Sequence, residues 1–219
     1  MLRNLLNSLF DLLLPHRCFG CHRNGIILCG KCTSEREPAD PLDTPETYAL
    51  FAYHDRVIQR MIWALKYRDA KAVGATFGSF LYDYLAEELA DVSSFGGNDQ
   101  SFLVIPIPLT SSRKRKRGYN QATTIADGLV YRGGKNLIVN ENILRRTRDT
   151  DSQTAIRGRQ KRLANIRGVF AVVNSQVVRG RQIIIVDDVI TTGGTMNEAR
   201  RILKAAGAKI VIAAAVAHG

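Results

Sequence analysis

The run IIIVDDVITTGGT, residues 183–195, sets two adjacent carboxylates after an apolar stretch, then two hydroxyls, two glycines and a third hydroxyl. Gly193 and Gly194 let the backbone turn tightly, so that consecutive N–H groups face inward onto an anion. A helix starting just after them adds the positive end of its dipole, and Thr191, Thr192 and Thr195 add hydroxyl donors. Those groups suit a phosphate monoester. Asp187 and Asp188 repel a phosphate but suit neighbouring hydroxyls, such as a ribose diol, or a magnesium ion beside it. The whole run therefore asks for a ribose 5-phosphate. An ordinary strand-to-helix turn needs one capping Asp and one Gly, not this set. The chain has no G-x-x-x-x-G-K-[ST] loop and no G-x-G-x-x-G after a strand.

A second cluster is metal chemistry. All four cysteines fall in CFGCHRNGIILCGKC, with Cys18, Cys21, Cys29 and Cys32 forming two C-x-x-C pairs seven residues apart. Each pair can present two thiolates to one ion, and two pairs complete a tetrahedron around zinc. A lone pair could be a redox couple, and a secreted chain could form disulfides. Two pairs in a chain without a leader pattern point to zinc. Four thiolates close the site, so the ion is structural, and His16 and His22 are not needed as ligands. The module is too small for its own core and depends on the metal to fold.

The elements that position these groups are legible from the pattern. A chain of 219 residues with 45% apolar content can build one large core and a satellite module. Residues 1–40 are expected to hold an amino-terminal helix and the zinc module, and residues 45–219 the main domain, with the proline-rich 36–47 as a linker. The opening MLRNLLNSLFDLLLPHRC has an apolar run broken by Asn7, Ser8 and Asp11 and no small-residue cleavage site. Its leucines fall at helical spacing up to Pro15, which predicts an amphipathic helix packed on the protein, with a membrane-surface role as the alternative. No stretch is long enough to span a membrane, and the chain is expected in the cytoplasm. YALFAY (48–53) reads as a strand. DRVIQRMIWALKYR and AVGATFGSFLYDYLAEELAD read as helices, with Asp55 and Asp69 placed to cap or start them. FLVIPIPL enters a turn, and VFAVV, QIIIVDDV and KIVIAAAVA read as further strands. The last two are too uniformly apolar for a half-exposed sheet, so a parallel sheet covered on both faces is expected. With a helix from about 195 to 206 stopped by Gly207, they form a βαβ unit, and the class is α/β.

Charge is unevenly spread. Residues 1–100 carry 10 Lys and Arg against 13 Asp and Glu, and residues 101–219 carry 21 against 7. A net +14 in the second half suggests a polyanionic ligand, phosphates or nucleic acid.

The Asp-Asp run closely resembles the 5-phosphoribosyl 1-diphosphate (PRPP) signature of type I phosphoribosyltransferases. Within that superfamily the chain resembles the ComF family of competence-associated proteins. The resemblance covers the cysteine module, ALKYR (64–68), VIPIPL (104–109), RKRKRGYNQA (113–122), RRTRDTDSQ (145–153), KRLANIRGVF (161–170) and the signature run. It implies a type I phosphoribosyltransferase fold, a mostly parallel sheet with helices on both faces. It also implies that Asp187 and Asp188 contact the ribose hydroxyls, that residues 191–195 hold the 5-phosphate, and that magnesium bridges ribose and diphosphate oxygens. By the same resemblance, Ile107, Pro108 and Leu109 form the pyrophosphate loop together with Arg113 and Arg117, ahead of a helix beginning near residues 118–119. The segment RRTRDTDSQTAIRGRQKR resembles the loop that closes over the active site in this superfamily. Where purine-salvage relatives carry an Asp that meets the base, this chain has Thr191. The sequence stops after KIVIAAAVAHG, so any hood over an acceptor is expected from residues 45–95 or the zinc module. Both departures argue against ordinary base salvage, and no catalytic residue is assigned.

Five cations in RKRKR exceed what one pyrophosphate needs. Lys114, Arg115 and Lys116, with Arg157, Arg159, Lys161 and Arg162, are candidates for a nucleic-acid track, against a solvated charge run. Trp63, Tyr67 and Tyr119 lie near basic residues and could stack bases, although helix-face aromatics are more often core. The expected function is PRPP binding together with handling of single-stranded DNA in natural transformation. The rival is a transferase that passes phosphoribose to a small acceptor. Other DNA-uptake proteins and a second copy of the chain are compatible partners.

Overall fold

The computed structural model describes residues 16–94, 101–148 and 167–219. The expected amino-terminal helix, most of the loop near residue 97 and the body of the polar segment at 149–166 lie outside the described residues, as do Arg157, Arg159, Lys161 and Arg162. In chain order the elements are α1 (Gly30–Ser34), β1 (Thr47–Ala52), α2 (Arg56–Tyr67), α3 (Lys71–Ser94), β2 (Phe102–Pro106), α4 (Ser111–Arg117), α5 (Gln121–Gly133), β3 (Leu137–Val139), β4 (Leu144–Arg146), β5 (Phe170–Val172), α6 (Ser175–Val178), β6 (Gln182–Ile190), α7 (Gly194–Ala205) and β7 (Ile210–His218).

Five strands form a wholly parallel sheet in the order β1-β7-β6-β2-β3. The two apolar runs, β6 and β7, sit inside it, which is why neither alternates with polar residues. Strand geometry sends successive side chains to opposite faces. Ile184 and Val186 pack with α2, α3, α5 and the cysteine module, whereas Ile183 and Ile185 pack with α7, through Met196, Ala199 and Leu203. The sheet is thus covered on both faces, and the fold is the α/β arrangement expected.

Asp55 starts α2 by accepting from the Val57 and Ile58 amides at 2.8 and 3.1 Å, as a helix cap should. Asp69 behaves differently. It takes a left-handed conformation between α2 and α3, and its carboxylate lies 3.4 Å from Lys71 Nζ.

Three expectations change. The stretch 36–47 is more than a linker: Ala39 donates to the Leu50 carbonyl and Ala52 to that of Glu37, and Pro38 bridges Phe51, so residues 37–39 run antiparallel along the free edge of β1. VFAVV forms β5, but β5 pairs antiparallel with β4 in a separate two-stranded ribbon. RKRKR is itself helical: Thr110 caps α4 through the Arg113 amide and Gly118 ends it in the left-handed conformation, so the next helix, α5, begins only at Gln121.

Candidate functional site

The loops after β2 and β6 leave the carboxyl ends of adjacent parallel strands, where open α/β sheets hold ligands. The amide of Ile107 donates to the Val186 carbonyl at 2.8 Å, fastening the first loop beside the acidic pair. Between the loops lies a cleft of about 300 Å³. It is lined by every residue expected for the phosphoribosyl ligand: Asp187 and Asp188, residues 191–195, Ile107, Pro108, Leu109, Arg113 and Arg117. Lys114, Arg115 and Lys116 lie outside the cleft on the exposed part of α4.

The acidic pair lies inside β6, as the strand reading of QIIIVDDV expects. The strand runs on to Ile190, with Asp187 in register with Ala215, so the connection to α7 is only residues 191–193. Gly193 at its end has φ 72°, a conformation that disfavours any side chain, and it caps α7. The first turn of a twelve-residue helix then opens onto the cleft, with its unpaired N–H groups and dipole end.

Strand alternation gives each carboxylate its own surroundings. Asp188 meets Lys66 of α2, Nζ to Oδ2, at 3.0 Å. Asp187 accepts the Asp188 amide at 2.8 Å. Burial pushes the Asp187 carboxyl up from its ordinary 3.8 to about 7, and the Asp188 charge adds to the rise, against the Asp188 amide, Lys66 and Arg146. A carboxyl raised in this way costs stability that grows as pH rises from about 4, where the unfolded chain ionises, to about 7, and is full above that. Asp187→Asn is therefore expected to raise the melting temperature at pH 8 by at least about 2–4 °C, the shift that 1 kcal/mol gives a chain of this size, and to change it little at pH 4.5. An equal shift at both pH values would mean that the carboxylate is not strained.

Lys66, Arg146 and Tyr53 also line the cleft and carried no role in the sequence reading. Lys66 lies in the quoted ALKYR block, and Arg146, whose guanidinium is 5.2 Å from the Phe170 ring, opens RRTRDTDSQ. Both blocks were visible, but their direction depends on tertiary contacts. Arg148 donates to the Arg167 carbonyl at 2.7 Å. Of the aromatics, Trp63 and Tyr67 are exposed rather than core. Tyr119 is half-buried and donates its hydroxyl to the Leu65 carbonyl.

The four cysteines are unpaired and their sulfurs lie within 4.8 Å of one another. Cys21 and Cys29 sulfurs are 3.7 Å apart, close to the edge of a tetrahedron with about 2.3 Å metal–sulfur bonds. Gly20 makes the approach possible, since a Cβ there would stand 2.5 Å from Cys32 Sγ. Burial resists ionisation of Cys18, but the amides of Cys21, Cys29 and Gly20 point at its sulfur and bring it down to about 6. Burial and the neighbouring sulfurs push Cys32 up to about 12. The cluster favours a first thiolate and resists the last, the electrostatics of a cage that needs a central cation.

The chain belongs to the phosphoribosyl transferase domain family, whose model matches residues 72–219. Within it the chain belongs to the ComF family. It is 27% identical over 181 residues to the "Competence protein F" of Haemophilus influenzae, covering 82% of this chain and 73% of that one. It is 28% identical over 183 residues to the "DNA utilization protein YhgH" of Escherichia coli, covering 84% and 74%. Over 128 residues it is 31% identical to the "Competence protein ComFC" of Streptococcus pneumoniae, covering 58% and 50%. Among the described residues no helix is long and apolar enough to cross a membrane.

Proposed function

We propose that this protein binds PRPP in the cleft and handles single-stranded DNA during natural transformation. The observation that carries the reading is one cleft where a helix-capped threonine and glycine loop, an acidic pair and the cationic helix α4 all meet. Thr191, Thr192, Gly193, Gly194 and Thr195 hold the 5-phosphate. Asp187 and Asp188 hold the ribose hydroxyls and the accompanying magnesium, and residues 107–109 with Arg113 and Arg117 hold the pyrophosphate. Magnesium supplies charge neutralisation for the pyrophosphate oxygens. Zinc in the Cys18, Cys21, Cys29 and Cys32 cage fixes the amino-terminal module, and four reduced cysteines fit a cytoplasmic setting. Relatives named for competence and DNA utilization, and the net +14 of residues 101–219, support the DNA part.

The test is DNA affinity at several salt concentrations. If four or five of the cations of α4 and of residues 157–162 engage phosphates, the slope of log affinity against log salt is about −3. Lys114→Ala, Arg115→Ala and Lys116→Ala together are expected to flatten it by about two units, because each single-strand phosphate contributes about −0.7. A shallow slope that the triple variant does not move leaves these cations as a solvated face.

A transferase acting on a small acceptor is the second reading. It is favoured by the complete phosphate loop and acidic pair, for which DNA binding alone has no use. Pyrophosphate release in a screen of candidate acceptors, without DNA, supports it.

A further inference from the structure

Helix α2 buries Ile58, Met61 and Leu65 against the sheet, and its opposite face carries Arg60, Trp63, Lys66 and Tyr67 at helical spacing. That face is one wall of a cavity of about 770 Å³, and α4 forms the other wall through Arg113, Lys116 and Arg117. Tyr53, Lys66, Arg113 and Arg117 line both this trench and the PRPP cleft, so the two open into one another. On its far side, Arg60 and Trp63 also wall a cavity of about 420 Å³ against Phe19 and His22 of the cysteine module.

The side chains of the trench have a distinct chemistry. Trp63 is 49% exposed and Tyr67 57%, with ring centroids 5.7 Å apart. Two large rings left in water on adjacent turns of a helix that otherwise buries its apolar residues need an occupant to cover them. Each already has a guanidinium beside it: Arg68 lies 4.7 Å from the Trp63 centroid and Arg117 5.4 Å from that of Tyr67. Five of the lining residues are Lys or Arg, and none is Asp or Glu. A bare polyanion would use the cations and leave the rings idle. A ligand that repeats a flat ring and a phosphate uses both.

We propose that this trench binds one nucleotide of a single strand, its base stacked on Trp63 or Tyr67 and its phosphates held by Arg60 and Lys116, while PRPP occupies the adjoining cleft. The inference rests on the nucleic-acid reading above and adds the seat. DNA and PRPP then occupy neighbouring places that share Arg113 and Arg117, so each alters the other's affinity without excluding it.

Trp63 is the only tryptophan of the chain, so tryptophan emission reports on this one position, between the trench and the smaller cavity. A short oligothymidylate titrated into the full chain is expected to quench that emission with the midpoint found independently by anisotropy of a labelled strand. Trp63→Leu is expected to weaken strand binding by roughly 5- to 100-fold. PRPP affinity measured by calorimetry should not change in that variant, and Trp63→Phe should restore part of the loss. An abasic strand with the same number of phosphates should bind the unaltered protein no better than thymidylate binds Trp63→Leu. Free dTMP should bind far more weakly than the strand, and equal affinity would overturn the assignment to a strand. Tight strand binding with unchanged emission and an unaffected Trp63→Leu variant would overturn the stacking seat and leave the DNA reading standing. No strand binding by the unaltered protein would overturn both.

Discussion

Asp187→Asn together with Asp188→Asn is expected to abolish measurable PRPP binding while leaving the sheet folded. Both changes preserve shape, and the β6 backbone that carries them is held by its pairing with β7, with β2 paired up to Val186 just before them. What is lost is charge. Asparagine accepts from a ribose hydroxyl weakly and attracts magnesium hardly at all, and charge-assisted bonds contribute about 1.5–3 kcal/mol each. Losing two weakens binding by at least about a hundredfold. Calorimetry with magnesium and PRPP reads the affinity, and a thermal melt shows that the variant is folded. Unchanged affinity in a folded double variant would mean that the ribose is held elsewhere in the cleft. The pH dependence belongs to the same group: with Asp187 pushed up to about 7, affinity of the unaltered protein should rise from pH 6 to pH 8 as that carboxyl ionises, and the double variant should show no such rise.

What could be read in the sequence is what local chemistry determines. The β6–loop–α7 unit declares itself because apolar run, acids, glycines and helix are consecutive. The structure moved only the strand's end, by one residue from Val189 to Ile190. The cysteine cage was legible for the same reason, as its four sulfurs come from fifteen consecutive residues. Lys66 and Arg146 were not. Each is one cation among 31, and its role follows only when α2 and β4 are brought to the ends of β6. The chain at 37–39 was misread because proline composition signals a break in regular structure, while its pairing with β1 is a tertiary fact. The helix was expected only near residues 118–119, after RKRKR, and five like charges do disfavour a helix by repulsion. The Thr110 cap and the Arg117 bond to Gln121 Oε1, at 2.8 Å, help offset this. Helix aromatics tend to be buried, and Trp63 and Tyr67 depart from that tendency at the edge of the site. Such departures concentrate where function needs them.

Gently purified protein is expected to carry one zinc per chain, and Cys29→Ser is expected to lose it and unfold roughly the first forty residues. Apparent binding free energies of structural zinc in small modules, about 10–16 kcal/mol, match or exceed the total stability of a typical domain, so the ion decides whether the module folds. The module's apolar contribution is slight by comparison. Cys18, Leu28, Cys29 and Cys32 join the core on the α2 side of the sheet, and the polar ties include Arg36 to Asp55 at 3.2 Å, Arg60 to the Phe19 carbonyl at 2.6 Å, Glu37 to His54 at 2.8 Å and the backbone bonds of residues 37–39 with β1. Beyond the edge strand β1, the parallel sheet and α7 share none of those ties. Residues 45–219 should therefore keep their far-ultraviolet signature and their PRPP affinity in Cys29→Ser, while Trp63 emission shifts as the wall formed by Phe19 and His22 is lost. Elemental analysis without metal in the unaltered protein would sink the zinc assignment. A single transition that unfolds the whole Cys29→Ser chain would instead make the cysteine module part of one cooperative core, and the division near residues 40–45 would fall.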